Sequence, residues 1–251
     1  MSKPSSQGSQ KRTMERSIRF NNAGVDCIEA GHNRIAWDLF KGALEVKLAV
    51  ERCEKQGVKG DFAFRSMRNS YVEKAEEHMV NIEKYLQQDR QNRAELQNGN
   101  QSQYNSNAQR MTVEQASSDV VTYAPFLFAH PMRLRCDSSS SSRRESATII
   151  FNLALVDHMK NRCSEQAVAL YELAMTLLTG DTVDLLGIAL VNNIGVWCYE
   201  NGDIDGALSC MGHLATFVNA CGVEIDQGEK EGLYSNILWL TNMPFAASPA
   251  A

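Results

Sequence analysis

Small and apolar side chains recur three or four positions apart at Phe20, Ala23, Gly24 and Cys27, along one face of a predicted helix. A polar turn containing Gly31 follows, and Ala36, Phe40, Ala43 and Leu44 resume the period as a second helix. Gly24 and Ala36 are small, as two antiparallel helices require where their backbones approach closely. The pattern returns. "NNAGVDCIEAG", Asn21 to Gly31, matches "NNIGVWCYENG", Asn192 to Gly202, at seven of eleven positions, all at an offset of 171. The same offset carries Ala36 onto Ala207, Phe40 onto Met211 and Ala43 onto Leu214. A third copy, Phe151 to Leu178, lies between them, 41 residues before the last copy in its first half and 40 in its second. A helical hairpin of this kind cannot cover its own apolar face and must stack on a neighbour.

The segments between the copies have other patterns. Phe62 to Gln88 reads as a long helix, apolar at Met67, Val72, Ala75, Met79, Ile82 and Leu86. It is expected to stack on the helix Ile35–Glu54. Gln and Asn make up 12 of the 24 residues from Gln87 to Arg110, a composition that cannot repay its ordering entropy. "VVTYAPFLFAHPMRL" restores hydrophobicity, while Pro125 and Pro131 forbid a regular helix, so it reads as an extended strap. Lys230 to Leu240 reads as an amphipathic capping helix, apolar at Leu233, Ile237, Leu238 and Leu240.

The resulting fold class is all-α: antiparallel helix hairpins stacked as a short α-solenoid, interrupted by a disordered Gln/Asn-rich linker. The expected organisation is a disordered tail over 1–16 and the first repeat with its packing helix over 17–87. A disordered linker over 88–118, the strap over 119–136 and a Ser-rich linker over 137–145 follow. Two repeats with a capping helix occupy 146–243, and 244–251 is a tail.

The chain resembles the tetratricopeptide repeat family. The resemblance rests on Gly24, Gly31, Ala36, Phe40 and Ala43 in the first copy. In the middle copy it rests on Ala154, Ala167, Tyr171 and Ala174, and in the last on Gly195, Gly202, Ala207 and Met211. It covers roughly 17–50, 147–180 and 188–221. The family's closing proline is absent, and the spacing exceeds the usual repeat of about 34 residues. In that family the first helix of each pair lines a concave face that receives extended peptide. The resemblance therefore implies that Asn22, Asn152 and Asn193 point inward, with Asn21 and Asn192 preceding two of them. Ile28, His158 and Tyr199 lie one and a half turns on, and Glu200 adjoins Tyr199. Asparagine both donates and accepts, so a ladder of them can hold a peptide backbone. Alternatively, these asparagines bond neighbouring helices. Members that clamp acidic chaperone tails do so with Lys and Arg; the corresponding positions here are Ile18, Asn21, Val25, Ala189, Asn192 and Val196, so no such tail is expected to bind.

Composition and charge narrow the function. Apolar residues make up 43% of the 251 and the net charge is −5, which supplies no basic field for nucleic acid. The longest apolar stretch, "LLGIALVNNIGVW", is broken by Asn192 and Asn193, so no membrane span is expected. The first residues lack the apolar core of a secretory signal. Seven cysteines without a CxxC pair support neither a disulfide framework nor a zinc ribbon, which points to an intracellular, cytoplasmic setting with the nucleus as the alternative.

Candidate chemistry is sparse. "NGDIDG" resembles the start of a calcium loop, but its twelfth position is Gly212, which has no carboxylate; the residues are those that a helix end and cap require. His158 and Cys163 come closest to a catalytic pair but straddle a turn, whereas Cys27, Cys198 and Cys210 occupy apolar repeat positions. No cofactor, metal site or enzymatic activity is expected. Ser142 and Glu145 form a capping box for the helix that follows, and Arg143-Arg144-Glu145-Ser146 also resembles a basophilic kinase site at Ser146. The expected function is a protein-interaction scaffold that binds an extended peptide or partner helix. The alternative is an autoinhibited, phospho-regulated adaptor or a regulatory subunit of an enzyme. The strap Tyr123–Leu134 is expected to cover an exposed helix pair, with an internal ligand as the alternative.

Overall fold

Two glycines fix where the first and last hairpins turn. Gly31 and Gly202 have φ of 81° and 79°, a left-handed conformation that costs a residue with a Cβ about 1–2 kcal/mol. In each turn the same two hydrogen bonds close the helix end. Gly31 N–H donates to Ile28 O (2.9 Å) and His32 N–H to Cys27 O (2.7 Å). In the last hairpin Gly202 N–H donates to Tyr199 O (3.0 Å) and Asp203 N–H to Cys198 O (2.9 Å). The apparent calcium loop is part of this turn: the Asp203 carboxylate accepts from Gly206 N–H at 3.0 Å. The middle hairpin turns without glycine, and Ser164 caps its second helix by accepting from Ala167 N–H.

The computed structural model describes residues 6–55, 80, 81, 84, 87, 88, 91, 125–135, 141–178, 184–220 and 225–241. Their regular structure is entirely helical. The helices are α1 (Ser6–Glu29), α2 (Asn33–Lys55), α3 (Ser142–Lys160), α4 (Glu165–Leu177), α5 (Leu185–Glu200), α6 (Ile204–Ala220) and α7 (Gln227–Thr241). Three hairpins pair α1 with α2, α3 with α4 and α5 with α6; α2 packs on α3, α4 on α5 and α6 on α7. Among the described residues no helix is long and apolar enough to cross a membrane.

The chain divides into two compact units, one of residues 1–68 with 125–251 and one of residues 69–124. In the second, the described residues Val80, Asn81, Lys84, Gln87, Gln88 and Gln91 are helical. The rest of the expected long helix, the bulk of the Gln/Asn-rich linker and the C-terminal tail lie outside the described residues. The tail expected over 1–16 differs: α1 begins at Ser6. Gln, Lys, Arg, Met and Glu are good helix formers, so a helix nucleated on the buried face beyond Ser17 propagates back through them.

Close packing explains the small residues. A Cβ on Gly24 would lie 2.6 Å from the Phe40 ring, and one on Gly195 2.4 Å from the Met211 methyl. Ala36, Phe40, Ala43, Ala207, Met211 and Leu214 are fully buried, as the repeat requires. Helix α3 is enclosed on nearly every side from Glu145 to Val156. Its start departs from the expected capping box. Ser141, not Ser142, is the cap and accepts from Arg144 N–H at 3.2 Å. Glu145 turns away from the helix end to Lys47 of α2, 2.5 Å away, with both side chains buried. A buried lysine carries its charge only beside such a partner, and that pairing outcompetes the box. Ser146 is 8% exposed and its hydroxyl donates to Ser142 O, so it is not presented to a kinase in this conformation.

Candidate functional site

The strap, residues 125–135, crosses α7, α5, α3 and α1 in that order. At each crossing one asparagine pairs with both the N–H and the C=O of a strap residue. Asn236 of α7 accepts from Phe126 N–H (2.8 Å) and donates to Phe126 O (2.8 Å). Asn193 of α5 does the same to Phe128 at 2.9 and 3.1 Å. Asn152 of α3 holds Met132 at 2.8 Å in both directions, and Asn22 of α1 holds Leu134 at 2.8 and 2.9 Å. A side-chain amide placed this way pairs with a peptide group as a neighbouring β-strand would. It reads backbone rather than side chain.

The asparagines form two triads of identical wiring. In the first, Asn21 donates to Asn22 Oδ1 (3.2 Å) and Met132 O (3.1 Å), and accepts from Asn152 (2.9 Å). In the second, Asn192 donates to Asn193 Oδ1 (3.2 Å) and Phe126 O (3.0 Å), and accepts from Asn236 (2.8 Å). The offset of 171 that relates the hairpins thus also relates their polar contacts. Asn21, Asn152, Asn192 and Asn193 are fully buried and Asn236 nearly so. With its donation to Tyr171 Oη (3.2 Å), Asn193 uses all four of its hydrogen-bonding valences. Such saturation is what makes a buried amide tolerable.

The strap is a repeat as well. Pro125-Phe126-Leu127-Phe128 and Pro131-Met132-Arg133-Leu134 share the form Pro-apolar-x-apolar at an offset of six, one tetrad per triad. Proline lacks an N–H, and the wiring asks for none at those two positions. The side chains anchor the strap. Phe126 lies flat on α7, where a Cβ on Gly232 would come within 2.4 Å of its ring. Phe128 is 1% exposed and meets Phe151 edge-on at 6.5 Å between centroids. Arg133 reaches Asp26 (2.7 Å) and Glu29 (2.8 Å) of α1. Hydrogen bonding to Asp26 raises its pKa the most, against a smaller loss from burial.

Behind the strap, the contacts continue inward. Asn193 donates to the Tyr171 hydroxyl, leaving that hydrogen for His158 Nδ1 at 3.3 Å. The His158 proton therefore sits on Nε2, facing Glu200 Oε2 at 3.5 Å, and Glu200 also binds Arg162 at 3.0 Å. Burial pushes the His158 pKa down against a smaller upward pull from Glu200.

Several expected partner-facing residues lie elsewhere. Ile28 is 8% exposed within the core and His158 is fully enclosed, so neither presents a surface. Their positions one and a half turns past the asparagines rotate them toward the second helix of each pair. Tyr199 packs half-buried on the apolar cluster of α5, α6 and α7, and Glu200 is engaged by Arg162 and His158. Cys163 is exposed while Cys27 and Cys198 are buried, and burial pushes the Cys198 thiol up to about 12. Asn236 is a ladder residue that the apolar pattern of α7 does not announce. A signal exists: "LVNNI" at Leu190–Ile194 has its counterpart in "LYSNI" at Leu233–Ile237, an offset of 43. No protein family, no curated protein and no solved structure matches the chain.

Proposed function

We propose that the chain is a non-catalytic protein-interaction module. In this reading it is a short stack of tetratricopeptide-like hairpins whose asparagine-lined face takes up an extended peptide, with its own strap as the resident occupant. The carrying observation is the set of four asparagine–backbone pairs along one extended segment. A strap serving only as a cover also needs its buried N–H and C=O groups paired; what favours a binding face is that amides from four helices form one track that accepts any extended backbone. The reading assigns no reaction, and His158 has both ring nitrogens engaged in the interior. Regulation through Ser146 is set aside because its hydroxyl is buried.

One observation favours the competing reading of a permanent cover: Phe128 is as buried as any core residue. Replacing residues 123–134 with a Gly/Ser linker of equal length separates the two. The strap competes from an effective concentration on the order of millimolar, so its removal exposes the face to ligand. A strap-replaced chain that stays monomeric and helical and captures a synthetic strap peptide supports the interaction module. A chain that precipitates, or stays folded yet ignores the peptide, leaves only the covering role.

A further inference from the structure

Resting on that reading, we propose that the external partner carries tandem Pro-apolar-x-apolar tetrads six residues apart, with a basic residue at x of the second. The asparagines cannot make this selection, because they hold peptide groups common to every residue. Selection falls to what lies beside the ladder, and the two triads differ there. Next to the first triad stand Asp26 and Glu29, both on one nitrogen of Arg133, the x residue of the second tetrad. The offset of 171 carries Asp26 onto Trp197 and Glu29 onto Glu200. Trp197 has no charge, and Glu200 is held by Arg162 and His158. The x residue of the first tetrad is correspondingly apolar: Leu127, 9% exposed. Acid faces base at the first triad. At the second, among the described residues, the counterpart of Asp26 is Trp197, Glu200 is already paired, and Glu229 of α7 meets His130 between the two tetrads (3.8 Å) rather than Leu127. The face therefore has a polarity along its length. That polarity fixes the direction in which an extended segment lies, and a second tetrad of the form Pro-apolar-acid-apolar meets like charge.

Arg133 is 46% exposed, with Asp26 at 38% and Glu29 at 56%. Pairs this exposed contribute little to stability but discriminate against like charge. Asp26 and Glu29 are therefore specificity-determining residues rather than anchors.

The test uses the full-length chain with Arg133→Glu, which sets the strap's own acid against Asp26 and Glu29 without removing a core side chain. Two labelled synthetic peptides of the 125–135 sequence are titrated, one unchanged and one with Arg133→Glu. The expected result is about tenfold tighter binding of the unchanged peptide, with the preference reversed when Asp26→Lys and Glu29→Lys are added. Equal binding of the two peptides overturns the inference while leaving the interaction module intact. The same pair is titrated against the strap-replaced chain, with and without Asp26→Lys and Glu29→Lys, so a strap that stays closed in Arg133→Glu does not mask the answer. If neither peptide binds either chain, the peptide-binding reading itself fails, and the inference with it.

Discussion

Each ladder asparagine is specified by its chemistry more closely than by its size. Asn193 donates twice and accepts twice, and aspartate, its near-isostere, can only accept. Asn193→Asp sets a carboxylate against the Phe128 carbonyl and strands Tyr171. Leaving such buried groups unmatched costs about 1–3 kcal/mol each, so the unfolding free energy from urea titration should fall by at least about 1–3 kcal/mol and the midpoint with it. An unchanged midpoint would mean that Asn193 does not hold the strap in solution. His158, at the far end of the same chain of contacts, has a pH sign. Its folded-state pKa lies below the ordinary 6.5, so the unfolded chain takes up the proton first. Asp157, Glu200, Arg162 and Tyr171 surround it, and burial outweighs the two carboxylates. Stability is therefore full above about pH 6.5 and falls as the pH drops below it. His158→Gln should lose less of its melting temperature between pH 7.5 and 5.5 than the wild type; equal losses would place the titration in another group.

At the scale of elements, the contact between α2 and α3 holds one buried charge pair, Lys47 with Glu145. Removing one partner of such a pair typically costs about 3–5 kcal/mol, because the other is left charged in the interior. Lys47→Leu should destabilise by that order in urea titration, and Lys47→Leu with Glu145→Leu should recover most of the loss. A single variant as stable as wild type would refute the pairing. This pair shows why some contacts escape the sequence. The hairpins were legible because Gly31 and Gly202, Ala36 and Ala207, and Phe40 and Met211 repeat at a fixed offset and a helical period. Read locally, Glu145 is a capping residue, because nothing nearby announces a lysine 98 residues earlier. Local grammar finds turns and faces, but a long-range ion pair carries no period. The same limit hides Asn236: apolar positions dominate the pattern of its helix, and one polar residue on a short helix is a weak signal by itself.

For the whole molecule, the sequence exposed both halves of the site without their relation. The asparagines and the strap each stood out, the first by repetition and the second by hydrophobicity between prolines. The match between them appears only when α1, α3, α5 and α7 lie side by side. Then Pro-Phe-Leu-Phe meets one triad and Pro-Met-Arg-Leu the other. The strap covers these helices, and its backbone is paired along the asparagine ladder. In this account the molecule is closed by a segment of its own sequence, and an incoming partner must offer the same backbone contacts with better side chains. The most direct measurement is residue-resolved amide hydrogen exchange along the strap in the intact chain. Protected amides at Phe126, Phe128, Met132 and Leu134, with rapid exchange at the exposed Ala129 and Arg133, are predicted. Uniformly rapid exchange across 125–135 would contradict the claim that the ladder holds this segment.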